Sequence, residues 1–229
     1  MDMQYFNGKS WSDVTRDERT FCMYLYSIFK DDPKDLLGLI KRDPTFKKLD
    51  SDRKFSFSQG DWELGYEVCF YRDFLLQHDV KVKEDADKIK SWGIEMPSKL
   101  IKRTFDLCLF SKNEIIIIEA KCAENLTSDQ FNDFLEDKDY IETIFKALGL
   151  KVPNIQMVVL ASAKYFDSKS FSSSKGVGRK YILDQDYITG LLSWKFIHDQ
   201  LKGLGLGTTL ERKMMRRADD PNKKPSEEG

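Results

Sequence analysis

Four consecutive isoleucines, Ile115 to Ile118, run directly into Glu119-Ala120-Lys121. A β-branched run of this kind reads as a strand that ends in charge. Upstream, Phe105-Asp106-Leu107-Cys108-Leu109-Phe110 has the same aromatic and aliphatic character. Ser111, Lys112 and Asn113 lie between the two runs and read as a tight turn, so the pair is predicted to be a β-hairpin. With Lys112-Asn113 as the loop, residue 111 pairs with residue 114. Counting outward then places Asp106 opposite Glu119. Side chains alternate along a strand, so Glu119 and Lys121 share a face.

Two carboxylates facing each other across a ladder repel, and beside apolar neighbours the repulsion is poorly screened. A divalent cation relieves it. Mg²⁺ takes hard oxygen ligands, commonly one or two carboxylates with water and phosphate. Asp106 and Glu119, with the backbone carbonyl of Ala120 as a third ligand, match that demand, and Mn²⁺ accepts the same set. Lys121 then stands where it can assist an attacking water and offset charge building on a phosphate. On a solvated surface hairpin the same triplet would be an ordinary ion pair. The paired acid on the neighbouring strand separates the two readings.

The rest of the chain supplies the frame. A helix is predicted over residues 12–30, with Phe21, Tyr24, Leu25 and Ile28 as its apolar stripe, and a short one over 34–40. A stronger helix is predicted over 62–77 from Leu64, Val68, Tyr71, Phe74 and Leu75. It would carry Glu63 and Glu67 on one face, either able to reach the hairpin as a further acid, with Glu67 preferred. Residues 78–84 alternate as a first strand, and 85–100 form a charged connection. Thr127 and Gln130 fit a capping box opening a helix that Gly149 stops. Residues 155–162 read as a buried strand, and the strand–helix–strand step implies a right-handed crossover between parallel strands. A last amphipathic helix is predicted over 187–201.

Residues 163–180 are basic, with Lys164, Lys169, Lys175, Arg179 and Lys180 among serines and glycines. A loop of this composition suits phosphate contact. Charged residues make up 33% of the chain but nearly cancel, to −1, so any nucleic-acid contact must come from such local patches. Four cysteines without a CxxC pair and only two histidines argue against structural zinc. Cys69 and Cys108 read as small core residues. With no apolar run of membrane-spanning length, the chain reads as a cytoplasmic protein with no membrane partner. The expected organisation is an N-terminal helical cap over 1–60, a core over 61–205 and a disordered tail over 206–229.

The pattern Phe105-Asp106, then Glu119-Ala120-Lys121, resembles the PD-(D/E)xK nuclease superfamily, with Phe105 where the family name has proline. The resemblance covers about residues 61–162. It implies an α/β, restriction-endonuclease-like αβββαβ core, here with the N-terminal cap and a C-terminal helix. It implies that Asp106 and Glu119 bind Mg²⁺, that Lys121 activates water and that Glu67 or Glu63 completes the site. In many such proteins a glutamine follows the acidic-x-Lys motif on the next helix; Gln130 matches loosely and is a candidate DNA contact. The implied activity is metal-dependent phosphodiester hydrolysis of DNA leaving a 5′-phosphate, as in a restriction-like endonuclease acting as a homodimer. A silent nucleic-acid-binding or protein-interaction domain of the same fold is the alternative.

Overall fold

The hairpin forms in the register set by its turn. In the structure, a computed structural model, strand β2 (Phe105–Phe110) pairs antiparallel with β3 (Glu114–Ala120), Leu107 facing Ile118 and Phe110 facing Ile115. The Ser111 N–H donates to the Glu114 carbonyl at 2.9 Å, closing the turn. Residues 18–45, 55–95, 97–121, 128–163, 166 and 188–203 are described.

Among the described residues the sheet has five strands in the order β1-β2-β3-β4-β5. The remaining strands are β1 (Glu63–Val68), β4 (Asn154–Ala161) and β5 (Ile188–Ser193). β2 runs antiparallel to both β1 and β3, whereas β4 pairs parallel with β3, and β5 parallel with β4. The protein is therefore mixed α/β.

The isoleucine run is the sheet's centre, and both of its faces are covered, which is why it does not alternate with polar residues. Ile116 and Ile118 face helices α1 (Glu18–Phe29) and α2 (Pro33–Arg42), joined by Trp194 and Ile197 of the C-terminal helix. Ile115 and Ile117 pack with Tyr71, Leu75, Ile89, Leu100, Ile141 and Ile144 from the opposite helical layer. That layer holds α3 (Phe70–Gln77), α4 (Ala86–Ser91), α5 (Pro97–Lys102) and α6 (Ser128–Ala147). Burying each isoleucine contributes about 1.5–3 kcal/mol. The expected N-terminal cap is thus one layer of the fold, since α1 and α2 share an apolar cluster with β1 to β5.

Three sequence expectations are corrected. The helix over 62–77 is a strand followed by a helix. Glu63 to Val68 pair with β2, and α3 begins only at Phe70. The spacing of Leu64, Val68 and Tyr71 satisfies a helical period, but Leu64 packs with α1 and α2 whereas Val68, past the left-handed Glu67, packs with Tyr71 on the opposite face. Residues 78–84 form no strand: Asp79 (φ 54°) takes the left-handed conformation and Val80 N–H returns to the Leu75 carbonyl at 2.9 Å. This is a helix C-terminus, and Val80 and Val82 are buried without strand partners. The helix over 187–201 begins only at Trp194, as α7 (Trp194–Gly203), and its first part is β5. Ile188, Leu191 and Leu192 are all buried in the sheet, and the Ser193 hydroxyl accepts the Phe196 N–H at 3.1 Å, capping α7. The connection over 85–100 holds α4 and α5.

Gly149 (φ 69°) ends α6 as expected, with Leu150 N–H bonded to the Phe145 carbonyl. Gly190 has a different role. A Cβ there would come within 2.9 Å of Val158 and 3.0 Å of Ile40, so glycine lets α2 lie against β5. Gly190→Ala is expected to destabilise the fold by about 1–3 kcal/mol through overpacking, measured by urea unfolding.

Candidate active site

Extending the β2–β3 register one step past Leu107 and Ile118 sets Asp106 level with Glu119, as read from the turn. Ala120 N–H faces β2 and donates to Asp106 Oδ2 at 2.8 Å. Asp106 is half-buried, while Glu119 and Lys121 are buried. Glu119 sits near the C-terminal end of β3, beside Val159 of β4, where the apolar run stops. Lys121 is fixed at both backbone ends. Its N–H donates to the Leu160 carbonyl at 2.8 Å, and its carbonyl accepts Trp194 Nε1–H at 2.9 Å.

The Lys121 ammonium lies 3.1 Å from Glu119 Oε1 and donates to the Ala120 carbonyl at 2.8 Å. Two of the three expected metal ligands thus converge on one cationic nitrogen. The donor set of Asp106, Glu119 and the Ala120 carbonyl is hard oxygen, the type a divalent cation takes, and the Lys121 ammonium engages two of the three. Among the described residues no three His, Cys, Asp or Glu side chains form a metal-holding group.

The structure separates Glu63 from Glu67. Glu63 pairs with Phe110 at the turn end of β2, away from Asp106. Glu67 lies between Tyr66, which faces Leu107, and Val68, which faces Phe105, so the register sets it level with Asp106. It is in the left-handed region (φ 50°), and its Oε1 is 3.3 Å from Arg19 Nε of α1. A non-glycine residue there is strained, and such strain gathers at functional sites. Gln130 falls in the first turn of α6 with its side chain outside the described residues, and Lys164, Lys169, Lys175, Arg179 and Lys180 lie outside them altogether.

Three residues not picked out from the sequence complete the cluster. Arg103, just after α5, places Nη2 3.6 Å from Glu119 Oε2 and 2.7 Å from Asp137 Oδ2. Its Nε donates to the same Asp137 oxygen at 2.8 Å. The Tyr71 hydroxyl donates to Asp137 Oδ1 at 2.7 Å. Asp137 could have been found: it precedes Ile141 and Ile144 by four and seven residues, so it occupies an apolar-stripe position of α6. Arg103 and Tyr71 carry no comparable signal. Beside them a pocket of about 330 Å³ opens between α5 and α6, lined by Lys99, Lys102, Glu136 and Tyr140 as well.

Burial pushes the Asp137 carboxyl up, against the lowering pull of Arg103 and the Tyr71 hydrogen bond. Burial and then the Asp137 charge raise Tyr71 well above its usual value. Burial opposes the charge of Arg103, but Asp137 and Glu119 hold its pKa above the ordinary range. For Asp137 the folded chain keeps its proton to higher pH than the unfolded chain does. The stability this shift contributes is fully present below the ordinary aspartate range and is lost as pH rises through the raised value. Asp137→Asn is expected to remove that decline, read from urea unfolding at stepped pH from acid to neutral.

Comparison with family models, with curated proteins and with solved structures finds no match to this chain. Among the described residues no helix is long and apolar enough to cross a membrane.

Proposed function

We propose that this protein is a Mg²⁺-dependent deoxyribonuclease of restriction-like type, with Asp106, Glu119 and Lys121 at its centre. The observation that carries the reading is the convergence at the end of β3. A carboxylate on each of two paired strands and a buried lysine two residues beyond the second share one site. Part of the element order supports it: three antiparallel strands, then a helix and a strand parallel to the third, although the expected helix over 62–77 and strand over 78–84 are not what precede the hairpin. α3 to α5 are then insertions between the first two strands, and β5 with α7 an addition at the far edge.

Asp106, Glu119 and the Ala120 carbonyl would hold the cation, which when bound supplies Lewis acidity at the scissile phosphate and to a water. Asp106 is kept in place by the Ala120 N–H. The Lys121 ammonium, buried beside Glu119, is suited to hold the attacking water in line and to offset charge on the phosphate. Burial strengthens both effects. Glu67, level with Asp106 by register and paired with Arg19 of α1, is the further acid this reading prefers. The basic stretch with Lys164, Lys169, Lys175, Arg179 and Lys180, together with Gln130, is assigned to contacts along the DNA. A second copy of the chain would allow both strands to be cut.

One observation favours the silent binding domain as a second reading: Lys121 engages both Glu119 and the Ala120 carbonyl, an arrangement such a domain would simply keep. The two separate on end-labelled duplex DNA and RNA of one sequence, incubated with Mg²⁺. The nuclease reading expects the DNA to be shortened and EDTA to stop it. Tight DNA binding without cleavage in either Mg²⁺ or Mn²⁺ would favour the silent domain.

A further inference from the structure

We propose that Arg103 is a positioning residue that fixes the Glu119 carboxylate, through an anchor built from Asp137 and Tyr71. The inference rests on the nuclease reading and extends it to residues outside the motif. Glu119 is held from two sides: Lys121 stands at Oε1 (3.1 Å) and Arg103 at Oε2 (3.6 Å). Two cations on opposite oxygens define how a carboxylate lies, where one would leave it free to turn.

Arg103 is itself fixed from several sides. Its Nε and Nη2 both approach Asp137 Oδ2, its backbone N–H bonds the Lys99 carbonyl at 3.1 Å, and its guanidinium lies 5.3 Å from the centroid of the Phe105 ring. Nη2 is buried and aligned with no hydrogen-bond acceptor, although Asp137 Oδ2 is only 2.7 Å away. Tyr71 occupies the other Asp137 oxygen, so that carboxylate cannot turn without breaking a bond at each end. The anchor thus runs from α3 through α6 to the start of β2, and Asp106 stands three residues beyond Arg103 on that strand.

The charges explain why the device need not spoil the site. Asp137 neutralises Arg103, so the pair presents a dipole to Glu119 rather than a full opposing charge. Buried ion pairs are poor devices for stability, since apolar residues of equal volume do as well or better. Partners that orient a ligand residue from outside the ligand set are, by contrast, worth about 10- to 100-fold in metal affinity or activity, and Arg103 meets Glu119 as such a partner through an ion-pair contact.

The test is calorimetric titration of Mn²⁺ into the parent protein, Arg103→Ala, Arg103→Lys and Tyr71→Phe, beside kcat and KM on DNA. Arg103→Ala is expected to weaken Mn²⁺ binding about 10- to 100-fold and to lower kcat with little change in KM. Arg103→Lys should recover part of both. Tyr71→Phe, which removes one hydroxyl from the anchor, should shift Mn²⁺ affinity in the same direction, and it decides the matter if Arg103→Ala does not fold. Folded variants that melt at lower temperature but bind Mn²⁺ as the parent does would reduce the cluster to a structural ion pair and overturn the proposal. A parent that binds no Mn²⁺ would overturn this inference and the nuclease reading together.

Discussion

Lys121→Ala is expected to lower Mg²⁺-dependent DNA cleavage by a factor of about 10² to 10³, the usual cost of removing one preorganised group that stabilises developing charge. Three features make the loss large. The ammonium is buried, so water does not replace it. It is 3.1 Å from Glu119, within reach of whatever that carboxylate holds. Its backbone is tied to Leu160 and Trp194, which fixes where the ammonium is presented, and the nearby Arg103 is itself held by Asp137. Folding should survive, because Glu119 keeps Arg103 as a partner. The check is the cleavage rate under single turnover, with circular dichroism of the same preparation. Lys121→Arg keeps the charge but not the compact ammonium, and should recover little.

Asp137→Ala should have the largest effect on stability, a loss of about 3–5 kcal/mol. The carboxylate is buried and takes bonds from Arg103 and Tyr71, so its removal leaves a half-buried guanidinium with only Glu119, at 3.6 Å, and a buried hydroxyl with only the Asp137 main-chain carbonyl, at 3.2 Å. In a chain of this size the melting temperature should fall by on the order of 10 °C. The neighbouring Glu136 is a natural control. It pairs with Lys99 at 3.1 Å, but both side chains are more than 40% exposed. Glu136→Ala should barely move the melting temperature, as for surface pairs in general. Equal losses from the two substitutions would mean that the Arg103–Asp137–Tyr71 cluster carries no special weight.

The hairpin and its charged end were legible because they are local. A short turn sets the register, and the period of two then fixes which side chains meet. Legibility failed where one hydrophobic spacing serves two structures. Leu64, Val68 and Tyr71 fit a helix, yet β1 ends at Val68 and α3 starts at Phe70, and nothing in the spacing marks the switch. Ile188, Leu191 and Leu192 posed the same ambiguity, resolved only by the parallel pairing of β5 with β4. The Val80–Val82 alternation had the opposite cause: two valines buried in a turn imitate a strand.

The site divides along the same line. Asp106, Glu119 and Lys121 lie within sixteen residues on paired strands, so counting brings them together. Arg103, Asp137 and Tyr71 come from three separate segments, and only the packing of α3, α5 and α6 makes them neighbours. A charge on an apolar stripe, as at Asp137, is the one trace of such a cluster that a sequence carries. The helical reading puts Glu67 on a face with Glu63, whereas its level with Asp106 comes from strand pairing.

The central claim is that Asp106 and Glu119 act as one metal-dependent hydrolytic centre. Nicking of supercoiled plasmid in Mg²⁺ tests it most directly, with the parent beside the near-isosteric Asp106→Asn and Glu119→Gln. The account predicts that the parent cuts, that EDTA stops it, and that either substitution alone removes cleavage while the protein stays folded. Cleavage that continues undiminished in both variants would contradict it.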